Sequence, residues 1–280
     1  MTQPETQPRT QPDPRPPIDP ASPANAWRVL VWIVAAVTVG VVLIFGTISV
    51  VGYFMLQTET RTTSFPNAVT RVQVTNTNGH VKIRTGTATP GATVISRSQN
   101  SFRTAKHSEA VTNGVLQVSG SCEGGFFVAD ACSMDFDITV PKGTTVEART
   151  TTGDISVIGT GAAVTATSST GDLRVTRAGG AIRLTTNVGN VIGVDLPGGT
   201  VQGRSNTGDV ELEFTTAPDR ITATTNVGDV RVVVPDDATT YQATADTDIG
   251  DRHLDIPIDP RSEHIAELST NTGDVWMTSD

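Results

Sequence analysis

Aromatic residues make up only 5% of this 280-residue chain, and it holds two cysteines and four histidines. So few cysteines exclude a disulfide-dense scaffold, and without CxxC spacing a structural zinc site has no ligand set. No GxSxG, HExxH or phosphate-cradling glycine loop is present, and no histidine is placed by a motif to activate a nucleophile. No basic cluster occurs either. With a net charge of -9 and a pI near 4.9, the chain lacks the positive footprint that nucleic acid requires. No residue is therefore assigned to catalysis, to a cofactor or to a metal.

What the sequence does have is a period. Thr152-Gly153-Asp154-Ile155 returns around Gly171, Gly189, Gly208, Gly228, Gly250 and Gly273, at steps of 18, 18, 19, 20, 22 and 23 residues. Side chains alternate faces along a strand, so a repeated strand unit shows apolar residues two apart at constant offsets. Ile155 and Val157, Leu173 and Val175, and Val210 and Leu212 follow their glycines in this way. Val146 and Ala148, Val164 and Ala166, and Ile182 and Leu184 precede theirs. The unit reads as strand, glycine turn, strand. A coil this thin cannot bury its own apolar face and becomes stable only when neighbours stack on it. The expected fold is all-β, a flattened β-solenoid of 18–23-residue coils. A roll of meandering hairpins is the competitor, since period-2 patterning alone does not separate the two. All the extra length falls between one coil's second strand and the next coil's first, so one edge is fixed and the other accepts insertions.

Two polar columns accompany the period. Thr150, Ser168, Thr186, Ser205, Thr225, Thr247 and Thr270 stand three residues before successive glycines on the inward parity, and are expected to satisfy one another as a hydroxyl ladder. Asp154, Asp172, Asp209, Asp229, Asp251 and Asp274 follow the glycines. Stacked carboxylates repel, which raises a calcium reading. Against it, an Asp after a turn glycine bonds its own backbone, and Asn190 and His80 occupy the same column without the charge. His253 and His264 share the longest edge loop near Asp251, Asp255 and Asp259, which raises a metal or acid/base cluster; against it, surface histidines in a polar loop are far commoner.

Along the chain, residues 1–26 carry eight prolines among Gln and Thr and read as a disordered tail. Residues 27–56 contain 28 consecutive uncharged positions with aromatics toward both ends, which predicts one transmembrane α-helix. A cleaved signal peptide fits poorly, because its apolar core is about half that length. Arg9, Arg15 and Arg28 before the helix, against Arg61 and Arg71 after it, favour a cytoplasmic N-terminus by a single charge. Residues 57–67 read as a juxtamembrane spacer and 68–280 as the solenoid. Within it, residues 72–83 reproduce the repeat once, with Asn76 and His80 in the polar columns. Residues 85–140 are a β-rich insertion expected to cap the open end of the stack. Cys122 and Cys132 lie in that insertion. Outside the cell such a pair forms a disulfide; two unrelated buried thiols or a partial metal pair are the alternatives.

A tail, one membrane helix, Val140-Pro141-Lys142-Gly143 and serial Ser/Thr-Gly-Asp-Val coils together resemble a widespread bacterial family, a domain of unknown function described as a "putative adhesin" with β-strand repeats. The resemblance covers roughly residues 68–280, and the Pro-, Thr- and Ala-rich style looks like an actinobacterial member. It implies a single-pass, extracytoplasmic β-solenoid at the cell surface that is not an enzyme, with a cell-envelope protein or glycan as partner. An accessory role in envelope-stress sensing and a glycan-active enzyme are the alternative functions. Arg252 departs from the repeat by standing where the other coils have an apolar residue.

Overall fold

The computed structural model describes residues 23–54, 57–86, 91–100, 104–123 and 132–280. Most of the expected Pro-rich tail lies outside these residues. The chain forms two compact units, 1–51 and 52–280. In the first, helix α1 (Pro23–Phe54) contains a 20-residue apolar stretch, Trp27–Gly46, that is long enough at about 1.5 Å per residue to cross a bilayer. Its large apolar side chains from Trp27 to Phe45 are exposed.

The second unit is built from strands. It begins with β1 (Gln57–Phe65), β2 (Arg71–Asn78), β3 (Val81–Thr85), β4 (Ala92–Asn100), β5 (Thr104–Thr112), β6 (Val115–Glu123) and β7 (Cys132–Val140). Pairs then recur: β8 (Thr145–Thr152) with β9 (Ile155–Ile158), β10 (Val164–Thr170) with β11 (Leu173–Thr176), and β12 (Ile182–Val188) with β13 (Val191–Leu196). Next come β14 (Gly199–Arg204) with β15 (Val210–Phe214), β16 (Pro218–Thr224) with β17 (Val230–Val234), β18 (Gln242–Ile249) with β19 (Arg252–Asp255), and β20 (Ile265–Thr272) with β21 (Val275–Ser279).

First strands of the pairs assemble into a ten-stranded sheet and second strands into an eleven-stranded sheet. Within each sheet neighbouring coils pair in parallel and in register, Val164 beside Val146 and Ile182, Leu173 beside Ile155 and Val191. This is the solenoid, not the meander. The inward apolar positions of both sheets form one continuous core, in which Val146, Ile155, Leu173, Leu184, Val210 and Ile221 are at most 1% exposed. Each such side chain contributes about 1.5–3 kcal/mol relative to exposure. Gly193 and Gly203 interrupt the apolar pattern because Leu196, Leu212, Val191 and Val210 fill the space their side chains would take.

Three features depart from the expectation. Gln57–Phe65, read as a spacer, is strand β1, antiparallel to β4. Its residues are polar on both faces, so no alternation marked it, yet four of its nine residues are threonine, a good strand former. The segment expected as a cap does more than cap: β6 and β7 form a full rung beside β2 and β3, and β5, β4 and β1 close that end by antiparallel pairing. At the other end the last two coils are exchanged. β20 and β21 pair with β16 and β17, while β18 and β19 lie outside them. The displaced coil offers Ala243 and Ala245 inward and carries Arg252 in place of an apolar residue, so the chain puts its poorest core former where half of its contacts are missing anyway.

The corner glycines are forced. Those from Gly153 to Gly273 have φ between +134° and +146°, and a Cβ at any of them would overlap the carbonyl oxygen of the neighbouring rung's glycine. Backbone strain costs about 1–3 kcal/mol there and the overlap about as much again. Gly208→Ala is therefore expected to destabilise by about 2–5 kcal/mol. Gly143→Ala, at φ +86° with open space around it, is expected to cost about 1–2 kcal/mol. Thermal unfolding of the two variants checks the difference.

Tyr241, just before β18, is 1% exposed and its hydroxyl has no hydrogen-bond partner. Burial, with Asp237 adding to it, pushes its pKa from the ordinary 10 to about 12. A raised folded-state pKa means the neutral phenol's contribution is complete below pH 10 and is lost as pH climbs toward 12. Stability is expected to fall across that window. Tyr241→Phe should abolish this component and, by removing an unsatisfied hydroxyl, add about 1 kcal/mol at neutral pH, read by denaturant titration.

Candidate functional site

The fixed edge carries the polar columns, and the structure shows what each does. At each corner with a further rung beyond it the glycine N–H donates to that rung, Gly153 to Thr170 O at 2.8 Å and Gly208 to Val227 O at 2.9 Å. The glycine carbonyl accepts from the hydroxyl column. Ser168 donates to Gly153 O (3.2 Å), Thr186 to Gly171 O (3.0 Å), Ser205 to Gly189 O (2.8 Å), Thr225 to Gly208 O (2.8 Å), Thr270 to Gly228 O (2.9 Å) and Thr247 to Gly273 O (2.9 Å). The hydroxyls thus bind backbone, not one another, because the corner brings a carbonyl closer than the next side chain. Asn76 makes the same contact by amide, donating to Met134 O at 2.8 Å.

The aspartates also reach across rungs, contrary to the expected bond to their own backbone. Each carboxylate except that of Asp251, on the outermost coil, accepts the N–H of the residue in the same slot one rung on. Asp154 accepts from Asp172 (2.9 Å), Asp172 from Asn190 (2.7 Å), Asp209 from Asp229 (2.8 Å), Asp229 from Asp274 (2.9 Å) and Asp274 from Asp251 (2.8 Å). Asn190 Oδ1 does the same for Asp209 at 2.9 Å. His80 continues the column through Nδ1, which accepts from Asp154 N at 3.3 Å. Asp135 begins it by accepting from His80 N at 2.8 Å. Sequence reading missed Asp135, since Met134 stands where its coil would show the glycine.

The column needs an acceptor, not a charge. Among the described residues no three His, Cys, Asp or Glu side chains converge to hold a metal ion. His253 sits on the outermost strand, whereas His264 turns back, its Nδ1 2.8 Å from Pro218 O and its ring 5.7 Å from that of Tyr241. The loop histidines are therefore not brought together. Cys122 of β6 is bonded to Cys132 of β7, with Cα atoms 6.0 Å apart, so the bond ties the two strands of one rung together across the two sheets.

Beside the carboxylate column, on the outer face of the eleven-stranded sheet, lies a hollow of about 210 Å³ lined by Asn190, Ile192, Asp209, Glu211, Asp229, Arg231 and Trp276. Arg231 stacks over the Trp276 ring, 5.3 Å from its centroid. The matching face of the ten-stranded sheet holds a wider trough of about 640 Å³, lined by polar residues that include Asn187, Asn206, Asn226 and Asn271. Beyond the column residues Asn190, Asp209 and Asp229 and the hydroxyls Thr186, Ser205 and Thr225, the positions that build both were not singled out in the sequence, because an inward period says nothing about which outward residues neighbour one another.

A family model described as Toastrack DUF4097 matches residues 60–275. Solved structures with a similar fold include a "putative adhesin" from Bacteroides fragilis, at 15% identity and TM-score 0.45, covering 79% of this chain and 97% of that one. Another "putative adhesin", from Parabacteroides merdae, has 11% identity and TM-score 0.37, covering 82% and 98%. A "putative lipid binding protein" from Parabacteroides distasonis has 8% identity and TM-score 0.36, covering 80% and 97%. No curated protein matches the chain.

If the column is a backbone-capping device, Asp209→Asn is expected to change stability by less than about 0.5 kcal/mol, as Asn190 already does this work. Asp209→Ala should cost about 1 kcal/mol by orphaning the Asp229 N–H. Calcium or a chelator should leave all three unfolding midpoints unmoved, as followed by circular dichroism.

Proposed function

The chain belongs to the Toastrack DUF4097 family, and from that premise we propose that it is a membrane-anchored, extracytoplasmic binding or scaffold module without enzymatic activity. The observation that carries this reading is the use to which the polar residues are put. The repeated Ser, Thr and Asp side chains of the fixed edge are occupied in joining one rung to the next. What they leave for partners is a set of regular outer faces. A glycosidase would require a general acid in a desolvated setting opposite a second carboxylate. Asp209 and Glu211, which line the same hollow, are instead exposed.

The apolar stretch Trp27–Gly46 supports anchoring, because a helix that is apolar all round is covered either by protein or by lipid, and these side chains are exposed. The bond between Cys122 and Cys132 supports the reading of an oxidising, extracytoplasmic setting for the β unit and of a cytoplasmic N-terminus. A wall polymer or envelope protein is the partner this arrangement suits. The full chain in detergent micelles is expected to be retained by isolated cell-envelope fragments and to hydrolyse none of their glycans. Absence of retention on wall, protein and glycan fractions alike would overturn the reading.

A further inference from the structure

We propose that the hollow beside Trp276 is a saccharide subsite that takes one pyranose ring of a neutral or N-acetylated oligosaccharide. This rests on the reading of the chain as a surface binding module and names the ligand class. Trp276 is the only tryptophan outside α1, and it stands on the outward face, half-buried between Arg231 on one neighbouring rung and His253 on the other. One face of the half-buried indole is covered by Arg231; its remaining surface, with Ile192 three rungs away along the hollow, offers apolar contact to the C–H side of a sugar ring.

Around that surface the polar groups are not ion-paired with one another, Arg231 being engaged in its stack on the indole. Arg231 shares the hollow with Asp209, Glu211 and Asp229, yet the ion pairs among the described residues all involve other side chains. Their orientation is fixed in advance. Asn190, Asp209 and Asp229 each have one oxygen held by the next rung's N–H at 2.8–2.9 Å, which locks the side chain and leaves its second terminal atom available. The amide of Asn190 and the carboxylates of Asp209 and Asp229 then follow one another about every 4.8 Å along the edge, with the single guanidinium of Arg231 beside them. Vicinal hydroxyls, each donor and acceptor, match such a set.

Other ligand classes match it worse. A divalent cation would face the Arg231 guanidinium, a polyanion would face three carboxylates, and a purely apolar ligand would leave the polar groups desolvated and unpaired. At about 210 Å³ the hollow is below the roughly 300–1,000 Å³ typical of pockets that enclose a small molecule. It has room for one ring, and the rest of the oligosaccharide would lie along the outer face of the rungs.

The test uses the full chain in detergent micelles, first on an array of immobilised neutral and N-acetylated oligosaccharides, then by calorimetry with cellotetraose and N-acetylchitotetraose. At least one oligosaccharide is expected to bind. Trp276→Ala and Arg231→Ala should each weaken it tenfold or more, with unfolding midpoints within a few degrees of the parent chain. Thr165→Ala, on the outer face of the other sheet, should leave it unchanged. Failure of the parent chain to bind any oligosaccharide, or binding by Trp276→Ala equal to that of the parent, would overturn the proposal. Envelope retention that persists in Trp276→Ala without saccharide binding would sink this site and leave the surface-module reading standing. Loss of envelope retention by the parent chain would bring down that reading itself.

Discussion

The contact between the corner glycine of one rung and that of the next governs this structure. Two backbones approach there more closely than any side chain allows, and the closeness lets one corner serve the other. With Cβ absent, the glycine carbonyl is open to a buried hydroxyl and the following N–H reaches the neighbouring carboxylate. Buried backbone polar groups must be paired, and an irregular corner repeated along a stack would orphan a donor and an acceptor at every rung. Identical corners in register solve the problem once and repeat the solution.

From that constraint the rest of the β unit follows. Fixing the corner fixes the register of both strands, and register decides which side chains enter the core, since a slip of one residue would turn every apolar residue outward. The loops at the opposite edge carry no such constraint, which is why the coil length grows there from 18 to 23 residues without disturbing the sheets. A stack of parallel rungs still has two ends. One is closed by the antiparallel strands β1, β4 and β5. The other is occupied by a coil with small and charged residues inside, a less hazardous edge than a long apolar one.

Much of this was legible in the sequence because the corner demands particular residues at particular offsets. Gly208 with Asp209 and Thr225 with Gly228 announce the rung, and Val210 and Leu212 announce its inward face. Spatial order was harder to read, since a period says that coils stack but not which coil touches which. The Arg252 departure was visible, and its meaning, an end position, came only from the pairing of β20 with β16. β1 escaped because its threonines face solvent on both sides. The hollow at Trp276 escaped for a related reason, as Asn190, Asp209 and Trp276 lie far apart in the chain and are joined only by stacking. The bonding partners of the two columns, neighbouring backbone in both cases, depended on a corner geometry that composition does not contain.

The parallel, in-register stack with its exchanged terminal coils can be tested by cross-linking outward positions with a short bis-thiol reagent. Thr222 lies directly beside Glu267 and two rungs away from Thr244. The double variant T222C/E267C should therefore cross-link rapidly in the folded chain while T222C/T244C does not. Preferential linking of T222C/T244C, or of neither pair, would contradict the stacking order.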